Sequence, residues 1–137
     1  MTPSPTFTQA SLLVAGGGAA GSWLRYLTAR AWFRAAGPEA VAAFPWPTLT
    51  ANVLGSLVMG LLVGWLSRDS AAASESWRLL IGVGLLGGYT TFSAFALEFA
   101  LFVERGALGL AALYVGASLV SGFAALFAGL WLMRVAA

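Results

Sequence analysis

Four apolar blocks, each about as long as a lipid bilayer's hydrocarbon core is thick, constrain this chain more than any motif does. Crossing ~30 Å of hydrocarbon takes about 20 helical residues, because each residue advances the helix by about 1.5 Å. The blocks run over residues 10–33, 47–65, 77–103 and 108–133. The stretch "RAWFRAAGPEA", with Pro38 and Glu39, closes the first; Pro45 and Pro47 precede the second; "SRDSAAASESWR" parts the second from the third. Of 137 residues, 60% are hydrophobic and only 9% charged, too few charges to coat a core in water. The expectation is an all-α membrane protein, one domain over residues 1–137, with four transmembrane helices. Trp32, Trp46, Trp65, Trp77 and Trp131 fall near block ends, where indoles settle among lipid headgroups.

The composition also excludes. Cysteine and histidine are absent, which removes disulfides, thiolate chemistry, imidazole ligands and the commonest general base. With no paired carboxylates either, an enzyme is the weakest reading. The opening "MTPSPTFTQASLLVAGGG" has no basic residue before Arg25, so it lacks the charged region of a secretory signal and the first block is expected to be retained. The net charge of +2 comes from arginines, with no lysine in the chain, and reads as loop anchoring in a membrane rather than a nucleic-acid surface. In a four-span arrangement Arg68, Arg78 and Arg134 lie on one side and Arg30, Arg34 and Arg105 on the other. That balance sets no orientation. It suits two copies inserted in opposite senses, an antiparallel dual-topology homodimer resembling an unfused inverted repeat; a single orientation fixed by folding order is the alternative.

Within the first block, "GGGAAG" at Gly16 to Gly21 satisfies a dinucleotide-binding pattern, and Glu39 follows at a distance suited to a ribose. That pattern needs a βαβ unit, and an apolar helix followed by others offers none. Gly17 and Gly21, four apart, read better as a close helix contact, with Arg25 one turn further on the same face. A guanidinium at that depth faces an aqueous vestibule, clamps structure or snorkels to the interface. The second block carries Thr48, Asn52, Ser56, Gly60 and Gly64 on one stripe, a packing seam or a wet path, in which Asn52 requires a partner. The fourth repeats the theme with Tyr114, Ser118 and Gly122, with Ser121 beside them. Ser118 and Ser121 serve a polar path or bond back to their own helix.

The third block contains "GGYTTFSAF", Gly87 to Phe95. Two glycines and two threonines weaken helix continuity, and freed backbone groups in lipid are tolerated only where they line a cavity or bind something. Half-helices so formed aim N–H groups at an anion, and unwound carbonyls coordinate a cation. Phe92, Phe95, Phe99 and Phe102 form a line that packing alone would permit. Yet ring edges carry partial positive charge, so Phe92 and Phe95 near donors from Asn52, Thr91 and Ser93 suit a small anion. Glu98, in the same helix, must be paired, protonated or wet.

Three separated segments, "GGAAGSWLRY" at Gly17 to Tyr26, "PTLTANVLGSLVMG" at Pro47 to Gly60 and "GLLGGYTTFSAF" at Gly84 to Phe95, together resemble the Fluc family of fluoride ion channels. Their order and spacing match over nearly the whole chain, and the third segment is the most specific. The resemblance implies a fluoride-selective passive channel of prokaryotic plasma membranes, an antiparallel dual-topology dimer with two pores, which exports fluoride and lowers its toxicity in the cytoplasm. It implies that Phe92 and Phe95 are the paired pore phenylalanines and Asn52 the pore asparagine that donates to fluoride. Thr91 and Ser93 then lie beside the path, Thr48, Tyr114 and Ser118 extend its polar track, Arg25 is the vestibule arginine and Glu98 the pore glutamate. Main-chain carbonyls of Gly87 and Thr90, four from two subunits, hold a structural sodium ion. Ala94 and Gly122 depart from positions where the family commonly carries hydroxyls, and Trp46 and Pro47 precede Thr48 where a glycine is expected.

Two further readings stand beside this one. A small dual-topology proton-coupled exporter would use Glu98 as its exchanging carboxylate. A non-transporting membrane scaffold would need only the small-residue seams.

Overall fold

The structure is a computed structural model and describes residues 4–67 and 72–136. Arg68, on which part of the arginine balance rests, lies outside the described residues, as does most of the charged connection after the second helix. Among the described residues the chain is helical throughout, without strands.

Helix α1 spans Phe7–Ala43. Thr6 caps it reciprocally with Gln9: the Gln9 N–H donates to Thr6 Oγ1 (3.4 Å) and the Thr6 N–H donates to Gln9 Oε1 (3.0 Å), which satisfies two of the donors that a helix start leaves open. The sequence places the end of this element near Phe33; the helix instead continues to Ala43 across a kink. Gly37 takes a φ of 83°, and Pro38 then sits where a helical turn restarts and needs no N–H donor. Phe44 and Pro45 turn the chain into α2, Trp46–Leu66, with Pro47 in its first turn.

The third long element is composite. It comprises α3 (Ala72–Trp77), a π-helical stretch (Arg78–Leu86), α4 (Gly87–Tyr89), two extended residues and α5 (Phe92–Glu104). Gly106, at φ 70°, makes the turn into α6, Leu108–Val135. Among the described residues three elements are long and apolar enough to cross a membrane: Trp46–Leu66, Glu75–Glu104 and Leu108–Val135. Helix α1 is the longest of all at 37 residues, but Gln9, Thr28, several serines and glycines, and three arginines dilute its apolar character.

Glycine seams join the helices, beside a small side-chain cluster around Phe102, Ala111 and Tyr114. Helix α1 lies along the π-helical stretch and α4, and α2 along α6. A Cβ on Gly84 would sit 2.9 Å from the Gly17 Cα, and one on Gly21 would sit 2.8 Å from the Tyr89 N. Gly60 and Gly129 bring α2 and α6 together in the same way; a Cβ on Gly129 would reach the Leu61 N at 2.8 Å. Such close backbone approach maximises dispersion contact where no hydrophobic effect drives helix association. The "GGGAAG" segment is therefore helix and packing surface, with Gly17 and Gly21 buried, and not a phosphate loop.

Helix α5, by contrast, packs thinly on its neighbours. The chain exposes 8344 Å², against about 6,800 Å² for a compact water-soluble chain of its 14.2 kDa mass. Much of that surface is large and apolar, including Phe92, Phe123, Phe127 and Trp131.

Candidate functional site: a cleft at the broken helix

The break falls on Thr90 and Thr91, the two threonines of the segment the sequence points to, and not on its glycines. Gly87 and Gly88 stay helical, because α1 packs directly on this turn; a Cβ on Gly88 would meet the Gly18 backbone. Thr90 (ψ 158°) and Thr91 (φ −152°, ψ 119°) are extended. Gly55 of α2 lies directly beneath the Thr90 methyl group, where any side chain would collide.

The freed backbone groups are met one by one. The Asn52 amide docks on Thr91 from both sides: Asn52 Oδ1 accepts from the Thr91 N–H (2.8 Å), and Asn52 Nδ2 donates to the Thr91 carbonyl (3.2 Å). Thr91 Oγ1 caps the new helix by accepting from the Ala94 N–H (3.2 Å) and lies 3.3 Å from Ser93 Oγ. Thr90 spends both its N–H (2.9 Å) and its hydroxyl (2.8 Å) on the Leu86 carbonyl. With the Thr91 N–H given to Asn52, the Gly87 carbonyl loses the donor that an unbroken helix would supply four residues on.

A cleft of ≈ 350 Å³ opens at this point between the break, α2 and α6. Asn52, Thr90, Thr91, Phe92, Phe95 and Ser118 all face it. The Phe92 and Phe95 rings lie 5.8 Å apart at an angle of 41°, and Phe92 is 80% exposed, so little of one copy of the chain besides Phe95 covers its ring. Phe95 continues inward to Tyr114, 5.0 Å away.

Beyond Tyr114 lies Glu98. Tyr114, fully buried, donates from its hydroxyl to Glu98 Oε2 (2.6 Å), and Thr48 donates to Glu98 Oε1 (2.6 Å). Short O–H···O bonds to both carboxylate oxygens satisfy the half-buried acceptor and tie α5 to α2 and α6. Thr48 and Glu98 also border a second cavity of ≈ 350 Å³, with Phe33, Pro47, Phe102 and Arg105. The sequence of groups Asn52, Phe92, Phe95, Tyr114, Glu98 and Thr48 thus runs from one cavity to the other through the thickness of α5.

Most of the expected residues come together, but three do not. Ser93 is exposed and touches the site only through Thr91. Gly87 lies exposed on the outer side of the break. Arg25 is half-buried on α1 and borders neither cavity. The structure adds groups that sequence reasoning passed over. Phe44, in the turn before α2, packs edge-on to Tyr114 at 5.5 Å, and nothing in its local sequence signals that. Ser56 faces the cleft one turn after Asn52; its place on the α2 stripe was the available signal.

Comparison with known proteins identifies the family of the chain. Residues 12–130 match the family model described as CrcB-like protein, Camphor Resistance. The chain is 54% identical over 125 residues to the fluoride-specific ion channel FluC of Novosphingobium aromaticivorans, an alignment covering 91% of this chain and 96% of that one. It is 52% identical to FluC of Phenylobacterium zucineum (92% and 96% covered) and 52% identical to FluC of Agrobacterium fabrum (89% and 94%). The chain belongs to the CrcB family.

Proposed function

We propose that this chain is a passive fluoride channel of a prokaryotic plasma membrane, not an enzyme, and that it exports fluoride and so lowers its toxicity in the cytoplasm. The observation that carries the reading is the Asn52 amide locked onto the broken backbone beside Phe92 and Phe95, at the mouth of a cleft. The names of the relatives supply the ion.

A pore for fluoride must replace tightly held water with fixed donors and still release the ion. Asn52 Nδ2 carries two N–H groups and spends one on the Thr91 carbonyl, which leaves one for a passing anion. Because Thr91 holds the amide from both sides, that donor stands at a fixed place. The edges of Phe92 and Phe95 add partial positive charge without a full cation that would trap the ion. Thr48, Tyr114 and Ser118 extend the polar track, with Thr91 and Ser93 beside it and Arg25 at a vestibule. Glu98 has both oxygens occupied by hydroxyls of Thr48 and Tyr114. A carboxylate so tied is poorly placed to exchange protons for a substrate, which speaks against the exporter.

Four spans in an antiparallel, dual-topology homodimer form the assembly in this reading, with α1 as the fourth span. The balanced arginines support it, as does the exposed apolar surface around Phe92, where a partner copy would complete the pore wall. The carbonyls of Gly87 and Thr90 suit a hard cation: they are oxygen donors at the open end of a half-helix, and Gly87 has lost its helical donor to Asn52. These residues would hold a sodium ion between two copies, where it would supply fixed positive charge that joins the broken helices.

The test is fluoride release from liposomes loaded with potassium fluoride and opened to potassium with valinomycin. Fast release without a pH gradient, and none of chloride from parallel vesicles, is the expected result. Monodisperse, reconstituted protein that releases no fluoride, or releases it only under a proton gradient, would refute the channel.

A further inference from the structure

Several hydroxyls in this chain bond to their own backbone. Ser11 donates to the Phe7 carbonyl (2.8 Å), Thr28 to Leu24 (3.0 Å), Thr90 to Leu86 (2.8 Å) and Ser121 to Ala117. Each thereby spends its one proton on the carbonyl four residues back. Two do not. Ser118 Oγ is buried with no hydrogen-bond partner, a state that costs free energy unless a ligand or water completes it. Ser56 makes no hydrogen bond among the described residues, and it faces the same cleft from α2.

The two serines flank Gly122. That glycine is one turn beyond Ser118 on α6, and a Cβ placed on it would lie 3.7 Å from Ser56 Oγ, ordinary contact with nothing nearer. The absence of a side chain at position 122 therefore leaves a gap about one methyl group wide in front of the Ser56 hydroxyl. Gly122, Ser56, Ser118 and Asn52 all line the one cleft.

We propose that Ser56 is a further ion-contacting residue, whose hydroxyl donates to fluoride across the gap left by Gly122 and works together with Ser118. The proposal rests on the channel reading above. Physically, a small anion needs several donors at once to replace its water, and one wall of the cleft supplies Asn52 and Ser56 from consecutive turns of α2. The opposite wall supplies Ser118. A helical serine that does not bond back to its own carbonyl keeps its proton available, which Ser121 on the neighbouring face of α6 does not.

Fluoride efflux from liposomes is measured for the wild-type chain, Ser56→Ala, Ser56→Thr, Gly122→Ser and the double variant Ser56→Ala/Gly122→Ser, each first shown to be monodisperse. Ser56→Ala is expected to slow efflux about tenfold, the scale of one lost hydrogen bond to an ion. Ser56→Thr keeps the hydroxyl and stays within about threefold of wild type on the same scale. Gly122→Ser in the Ser56→Ala background restores most of the rate, because a hydroxyl returns to the same gap from the other wall. A purely structural role for Ser56 would show as loss of folded protein and no rescue. Efflux by Ser56→Ala equal to wild type, or a loss that Gly122→Ser does not recover, overturns the proposal while leaving the channel standing. Absence of efflux from the wild-type chain removes both.

Discussion

The two halves of the broken third element are held in place by different means. Before the break, residues 72–89 are fixed by backbone: Gly84 and Gly88 lie against Gly17 and Gly18 of α1, with no room for a side chain. After it, α5 packs thinly and is held by polar ties, Asn52 to Thr91 at its start and Glu98 to Thr48 and Tyr114 in its middle. The contrast assigns the halves separate duties. The first is a foundation that sets where the break lies. The second carries the phenylalanines, and its few side-chain bonds position Phe92 without burying it.

The contrast is broken most severely at the foundation. Gly84→Leu forces a side chain into the α1 backbone and is expected to cost more than about 4 kcal/mol, enough to abolish monodisperse protein on size exclusion. A folded, active Gly84→Leu protein would show that the seam is not the foundation. At the polar ties, Asn52→Leu removes a donor and an acceptor from the Thr91 backbone and is expected to cost about 2–4 kcal/mol in a denaturation series and to abolish fluoride flux. Asn52→Asp sharpens the point, since it keeps the acceptor for the Thr91 N–H and loses the donors: more folded protein than Asn52→Leu, yet no flux. Next comes Tyr114→Phe, which frees one Glu98 oxygen. A loss of about 1–2 kcal/mol is expected, with flux reduced more than stability, as read by efflux and thermal unfolding in detergent. The smallest effect lies far from either half. Gly37→Ala strains a left-handed backbone position at the α1 kink by about 1 kcal/mol and should leave efflux unchanged.

Legibility in the sequence followed the strength of the physical constraint. The apolar blocks and the existence of a break could be read because lipid tolerates neither charge nor unpaired backbone. That the threonines and not the glycines of the segment break could not, because glycine flexibility is local while the packing of α1 that keeps Gly87 and Gly88 helical is tertiary. Helix α1 runs past Pro38 for a similar reason: a proline after a positive-φ glycine can restart a helix as well as end one. Asn52 was legible as a polar group in need of a partner, but the partner is the backbone of Thr91, which no side-chain pattern encodes. Ser118 and Ser121 read alike in sequence, and only geometry separates the hydroxyl that bonds its own helix from the one left free. That Phe92 and Phe95 suit a small anion followed from their ring edges, and their pairing in a pore from resemblance; the structure contributes their position at the cleft.

The central claim is that α5 is a platform for pore phenylalanines rather than a packing helix, and Phe92→Ile tests it most directly. With an 80% exposed ring, Phe92 contributes little to the folded single chain, so the variant should purify and reconstitute like wild type. Fluoride efflux from its liposomes should fall by at least about a hundredfold, about 2.7 kcal/mol on the barrier. Wild-type efflux from properly reconstituted Phe92→Ile protein would contradict the account.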